Sequence, residues 1–292
     1  VANNKTYDRT TTATLNVSGA TLVGVLAPDV VTINSSAAIG AFASANAGSR
    51  AVTASGFGLT GAAGNYVLSA QPTVPNATIN PKGLTANGVI ANNKTYDRTV
   101  NVISFNLAGA SLVGIIAPDV VTLDSSAASG TFASLNAGAW AVTVSGFGVS
   151  NTNYTLSAQP TVPDATINPK GLTITGVLAN NKTYDQTAAA TLNLAGASLA
   201  GVIAPDAVAI DSDAASGTFA SPNAGTHAIT ASGFGLTGAA GNYALTAQPT
   251  VPNATINTKG LTVTGVTANN KPYDGNTTAT LDFTSAALEG VL

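Results

Sequence analysis

The chain has 292 residues, 10 Lys and Arg against 13 Asp and Glu, a formal net charge of −3, only 8% charged residues and 45% hydrophobic ones. So few cations cannot neutralise a row of phosphates, which excludes a nucleic-acid surface, and little charge with high apolar content argues against disorder. No apolar run approaches the ~18 residues of a membrane helix, aromatics at 5% are too sparse for the girdles of a membrane barrel, and the absence of cysteine removes disulfides, thiolate metal sites and Cys nucleophiles.

Self-similarity sets the organisation. Asn3-Asn4-Lys5-Thr6-Tyr7-Asp8 returns as Asn92-Asn93-Lys94-Thr95-Tyr96-Asp97, as Asn180-Asn181-Lys182-Thr183-Tyr184-Asp185 and as Asn269-Asn270-Lys271-Pro272-Tyr273-Asp274, with the tyrosines 89, 88 and 89 residues apart. Pro28-Asp29, Pro118-Asp119 and Pro205-Asp206 keep step, as do the Asn-Ala-Gly turns at Asn46, Asn136 and Asn223. A period of ~88 residues is that of an independent domain rather than of a solenoid unit. Boundaries are expected at 1–83 (a first repeat lacking its opening strand), 84–171, 172–260 and 261–292 (a partial fourth). Val1 and Leu292 fall inside repeats, as in a segment of something longer.

In chain order through the third repeat, every element reads as a strand. Leu172–Val177 alternates with period two, and Asn180-Asn181 supplies a turn. Ala190–Leu194, Ser198–Ile203, a turn at Pro205-Asp206, Val208–Ile210 and Gly217–Phe219 follow. After the turn at Asn223 come His227–Ser232, Tyr243–Ala247 and Ala254–Asn257. Short strands at this spacing, joined by short connections, predict tandem antiparallel β-sandwich (Ig-like) domains with parallel crossovers set aside; β-grasp-like units are the alternative. The expected core is aromatic: the motif tyrosines with Phe42, Phe132 and Phe219, Phe57, Phe147 and Phe234, and Tyr66, Tyr154 and Tyr243.

Candidates for chemistry are few. Arg50, Trp140 and His227 share one repeat position, which reads as an outward-facing place on a strand. With one histidine and Glu289 the single glutamate, neither a Ser-His-Asp relay nor a His-based metal site is expected. Asp97 and Asp119 recur in each repeat, but beside turn residues, where Asp bonds nearby backbone amides. No catalysis and no cofactor is expected. The Asn-Asn-Lys-x-Tyr-Asp cluster reads as a turn, a short strand and an Asp-capped exit, with the Tyr ring inward and its hydroxyl bonded at the edge; a sugar-binding patch or a Lys–Asn crosslink are the functional alternatives.

The motif Lys-x-Tyr-Asp-Gly, complete only at Tyr273-Asp274-Gly275 and followed by Thr278-Ala279-Thr280-Leu281, resembles the opening of the YDG-type repeat. Phe-x-x-x-Asn-Ala-Gly, Gly-Asn-Tyr and Ala-Thr-Ile-Asn-Pro-Lys match its later landmarks, while Arg9, Arg98 and Gln186 stand where Gly275 does. The resemblance implies an extracellular setting in large bacterial surface or secreted proteins similar to filamentous-haemagglutinin-like adhesins, and it carries no catalytic residues. A stalk is therefore expected, its repeats joined through Pro81 and Pro169 into a rod of ~110–150 Å. Its partners would be further repeats of the same polypeptide, with no nucleic acid and no membrane insertion. The alternatives are a self-assembling fibre, in which another copy's strand fills an incomplete repeat, and a module binding host or matrix glycans, or ice.

Overall fold

The computed structural model describes every residue from Val1 to Leu292. Its regular structure is strand, apart from single 3-10 turns at Ala63–Asn65 and Ala240–Asn242. The chain is an all-β repeat protein. It divides into two compact units: Val1–Lys94 with Val100–Ser134 and Ala139–Thr166, and Ile167–Leu292 with Thr95–Thr99 and Leu135–Gly138.

In the second unit the third repeat builds two layers. Its larger sheet has five strands in the order Lys182–Thr183, Val251–Asn257, Gly225–Ser232, Ser216–Phe219 and Ala189–Ala190. Its smaller sheet places Lys170–Thr175 between Ser198–Ala200 and Tyr243–Leu245, beside the pair Val208–Asp211 and Gly235–Gly238. Period-two alternation turns Leu172 and Ile174 of the opening strand inward, to 0% and 5% exposure. The core joins Ile174 and Leu199 from the smaller sheet, with Val177 just beyond its opening strand, to Phe219, Ile229 and Ile256 from the larger.

The first unit repeats the five-stranded sheet as Lys5–Thr6, Val74–Asn80, Gly48–Ser55, Ile39–Phe42 and Thr12–Ala13. Val74–Asn80 ends at Pro81, which has no N–H to continue the ladder. The chain then resumes as Lys82–Asn87 between Ser111–Val113 and Tyr154–Leu156 of the second repeat. One nearly continuous strand thus serves two repeats.

Three sequence expectations need correction. Parallel pairing is present: Lys5–Thr6 runs alongside Ile79–Asn80, Lys82–Leu84 alongside Tyr154–Leu156, Lys170–Leu172 alongside Tyr243–Leu245, and Lys182–Thr183 alongside Ile256–Asn257. These partners lie at opposite ends of a repeat, so short local connections never constrained them; the intervening strands act as the crossover. Lys182–Thr183 is the short strand read in the motif, but strands at Leu178–Ala179 and Gly235–Gly238 are additional to those read from the pattern, because two-residue strands and Gly-rich strands carry almost no periodicity. Finally, Phe42, Phe132, Phe147, Tyr154, Phe219, Phe234 and Tyr243 are buried as expected, but Phe57 and Tyr66 are only half-buried. In the first repeat no opening strand covers them.

Candidate functional site: the joints between repeats

The recurrent motif builds a joint from four kinds of contact. Its second asparagine reaches across the sheet: Asn4, Asn93 and Asn181 each accept, through Oδ1, the backbone N–H of Thr78, Thr166 and Thr255, at 2.7 Å in every case. Its lysine closes a local ring. Lys5 Nζ donates to Asp8 Oδ1 and to the Thr10 carbonyl, both at 2.7 Å, and stands 5.5 Å from the centre of the Phe42 ring. Lys182 repeats this with Asp185, Thr187 and Phe219, while Lys94, 3% exposed, lies 5.7 Å over Phe132. The motif aspartate caps the following turn, accepting Thr10 N–H on Asp8, Thr99 N–H on Asp97 and Thr187 N–H on Asp185. Hydrogen bonds from Lys182 and Thr187 hold the Asp185 carboxyl down at about 2. Lys271 makes the same contacts to Asp274 and Asn276.

The tyrosine reaches the next repeat. Within the first unit, Tyr7 Oη donates to Asp119 Oδ2 at 2.8 Å and Tyr154 Oη donates to the same oxygen at 2.7 Å. The two rings meet edge to face at 5.3 Å. Arg9 completes the site, its Nε 3.1 Å from Asp119 Oδ1 and its Nη1 2.8 Å from the Ala117 carbonyl. Within the second unit the arrangement recurs: Tyr96 and Tyr243 donate to Asp206 Oδ2 at 2.8 and 2.7 Å, with their rings 5.4 Å apart. Arg98 Nε sits 3.0 Å from Asp206 Oδ1, angled off it, so that contact is an ion pair rather than a hydrogen bond. Hydrogen bonds from Tyr154 and Tyr7 and the charge of Arg9 lower the Asp119 carboxyl against the opposing effect of burial. Tyr243, Tyr96 and Arg98 do the same for Asp206. Burial, then the neighbouring carboxylate, raises all four tyrosines.

An asparagine clasp lies beside each tyrosine pair. Asn153 Oδ1 accepts Ala47 N–H at 2.8 Å and its Nδ2 donates to Asn46 Oδ1 at 3.1 Å; Asn242 does the same to Ala137 and Asn136, at 2.7 and 3.1 Å. The Asn-Ala-Gly turn of one repeat is thereby tied to the Asn-Tyr pair of the next. Both clasp elements recur in the sequence, but nothing local to either says that they face each other.

Several sequence readings change here. Asp119 and Asp206 are not local turn caps; each is the shared acceptor of two tyrosines from different repeats. The signal available was its fixed place after proline in a repeat otherwise poor in charge. Arg50 and His227 are half-buried rather than outward-facing, and bond the carbonyls of their own Asn-Ala-Gly turns: Arg50 Nε to Asn46 at 3.0 Å, Nη2 to Ala47 at 2.7 Å, and His227 Nε2 to Asn223 at 2.8 Å. Trp140, at the same position, is also half-buried. The motif tyrosines differ along the chain: Tyr7 and Tyr96 are buried, Tyr184 is half-buried and Tyr273 is 99% exposed. The first asparagines serve the local turns; Asn3 and Asn180 donate backbone N–H groups to the Thr14 and Thr191 carbonyls, Asn92 to Ser104 and Asn269 to Thr280. Asn270 is exposed beside Lys271.

Sequence reasoning passed over Gln71, Gln159 and Gln248. Each reads both backbone groups of the buried-position phenylalanine, as Gln248 does with Phe234 N–H at 2.9 Å and C=O at 3.0 Å. Their recurrence before Pro-Thr was the available signal.

The left-handed turn after Tyr-Asp identifies the repeat. Gly275 has φ +74°, and Arg9, Arg98 and Gln186 adopt φ +67°, +63° and +67° at the same place, so the glycine conformation persists without glycine. Comparison with protein families matches a YDG domain three times in tandem, over residues 1–74, 80–162 and 168–251. No curated protein and no solved structure matches the chain. With three successive matches spanning most of its length, the chain belongs to the YDG domain family.

Proposed function

We propose that this chain is a non-enzymatic stalk segment of a large bacterial extracellular protein of the filamentous-haemagglutinin-like adhesin kind, holding a binding or anchoring region away from the cell surface. The observation that carries the reading is the joint made twice to the same pattern: two buried tyrosines from different repeats on one aspartate, an arginine opposite and an asparagine clasp alongside. Side chains held at both ends of a short connection remove the swivel that a flexible linker allows. The motif's most distinctive residues are spent on this joint, and its partners on this reading are further repeats of the same polypeptide.

Small-angle scattering on the full chain tests it. A stalk gives an extended particle with a maximum dimension of ~110–150 Å, and the double variant Asp119→Ala with Asp206→Ala broadens the distance distribution by loosening the joints. A compact globular profile for the unaltered chain rejects the reading.

A further inference from the structure

Each joint brings two tyrosines to a single oxygen. Between the second and third repeats, Tyr96 and Tyr243 donate to Asp206 Oδ2 at 2.8 and 2.7 Å, and their rings meet at 5.4 Å with 76° between their planes. Between the first and second, Tyr7 and Tyr154 meet at 5.3 Å and 74° over Asp119 Oδ2. All four rings are buried. Tyr66, by contrast, shares Asp29 with no second tyrosine. Cysteine and methionine, the side chains that ordinarily take an oxidant first, are absent from the chain.

A phenol that loses one electron becomes a strong acid, and its proton passes to a base already bonded to it. Asp206 is that base for both rings, through hydrogen bonds in place before the electron leaves. The resulting phenoxyl radical carries its unpaired spin on the oxygen and on the ortho and para ring carbons. The para carbon is Cγ, which is attached to the chain, so coupling falls on Cε. Because both hydroxyls converge on one oxygen, the Cε edges that flank them converge too. Turning either ring about its Cγ–Oη axis closes the angle between the planes while its hydroxyl stays on the carboxylate. Holding the two rings in this way makes their coupling intramolecular. The Asp206 side chain is 11% and that of Arg98 34% exposed, so the hydroxyls lie one side chain below the surface, within reach of electron transfer to a small oxidant outside.

We propose that each joint is an oxidative crosslinking site, at which a peroxide couples Tyr96 to Tyr243, and Tyr7 to Tyr154, as dityrosine. Each ring gives up one electron and its phenolic proton, and a carbon–carbon bond forms between one Cε of each. The hydrogens on those two carbons then move to the oxygens, which restores both phenols. The peroxide takes the two electrons and its O–O bond breaks; the two protons leave through the carboxylate to solvent. The product ties neighbouring repeats covalently in a chain that has no cysteine for a disulfide. The site does not rest on the stalk reading: joints that fail to couple would overturn it and leave an extended particle extended.

Visible-light photolysis of the dilute full chain with a ruthenium tris-bipyridyl sensitiser and peroxydisulfate, which is reduced to two sulfates, tests the proposal. Monomer isolated afterwards is expected to have lost about 2 Da per crosslink and to show the blue fluorescence of dityrosine. Digestion is expected to release two linked peptides, one joining Tyr96 to Tyr243 and one joining Tyr7 to Tyr154. Tyr243→Phe should remove the first and leave the second as an internal control. Unfolding the chain in urea before photolysis should lower both yields at least several-fold. A monomer that loses no mass, crosslinks that fall mainly on other tyrosines, yields that survive unfolding, or rings that gain oxygen without joining overturns the proposal.

Discussion

Gly56–Tyr66 and Gly233–Tyr243 are the same eleven residues in two places. Both begin with a left-handed glycine, φ +78° in each case, at which a Cβ would collide with a carbonyl, that of Ala37 or Ala214. Both contain the same 3-10 turn, and both end with a tyrosine that bonds an aspartate and a backbone N–H: Tyr66 with Asp29 and Leu26, Tyr243 with Asp206 and Ile203. Yet Phe234 and Tyr243 are 5% exposed, while Phe57 and Tyr66 are half-buried and 66–68 is not a strand. The turn and the hydroxyl contacts are local properties. Burial is not; it comes with Lys170–Thr175, a strand from the other end of the repeat.

The largest test of this contrast removes the same ring twice. Phe234→Ala should cost about 3–5 kcal/mol, as for a large buried side chain, and Phe57→Ala less than half as much. Hydrogen exchange on the peptides around each site is the proper readout, since a chain of two units does not have one unfolding free energy. Equal losses of protection at the two sites would show that the opening strand does not govern packing.

A second contrast lies in the aspartates. Asp206 accepts two tyrosines and faces Arg98, whereas Asp29 accepts Tyr66 alone, at 2.9 Å. Asp206→Asn leaves a buried hydroxyl poorly satisfied and removes the partner of Arg98, an expected loss of about 1–3 kcal/mol. Asp29→Asn, at an exposed contact, should stay below about 1 kcal/mol. Exchange protection around Tyr96 and Tyr243, against that around Tyr66, distinguishes them.

These contrasts mark where the sequence was legible. The period, the all-β class and the alternating strands were readable because each depends on neighbours in the chain: Leu172 and Ile174 announce their own inward face. The lysine ring around Asp8 and Asp185 was half-readable, since its partners lie within five residues. The joint was not. Tyr7 and Asp119 are 112 residues apart, and no pattern within either segment points at the other. Parallel pairing was hidden for the same reason, and so was the source of burial: Phe234 owes its cover to Lys170–Thr175, a strand far from it in the chain.

Acidity probes both kinds of site together. Asp119, Asp185 and Asp206 titrate lower in the folded chain than free carboxyls. Their stabilisation is therefore complete above the unfolded value near ~3.9 and disappears as pH falls toward the folded values. The joint tyrosines titrate higher than 10.0. Above pH 10.0 the unfolded chain releases protons that the folded chain retains, so stability falls as pH climbs toward the folded values. Thermal melts should be flat from about pH 5 to about pH 9 and decline on both sides. Tyr7→Phe with Tyr96→Phe should flatten the alkaline decline and leave the Asp185 part of the acid one.

The smallest expected effect separates the roles of the residue after Tyr-Asp. Gln186 holds φ +67° and Arg9 the same angle, a backbone region that disfavours side chains by about 1 kcal/mol. Gln186 is exposed, so Gln186→Gly should relieve that strain, less the entropy that glycine gains in the unfolded chain, and stabilise by a few tenths of a kcal/mol up to about 0.5. Arg9→Gly relieves the same strain but gives up the ion pair to Asp119 and the bond to the Ala117 carbonyl. A partly exposed pair of this kind contributes up to about 1 kcal/mol, so the sign should reverse to a small loss. Arginine is then kept at this position for the joint it completes, against the preference of the turn it occupies. Equal stabilisation by both glycines, read from exchange protection of the Tyr7 and Tyr184 peptides, would mean that the guanidinium adds nothing to the tyrosine–aspartate contact.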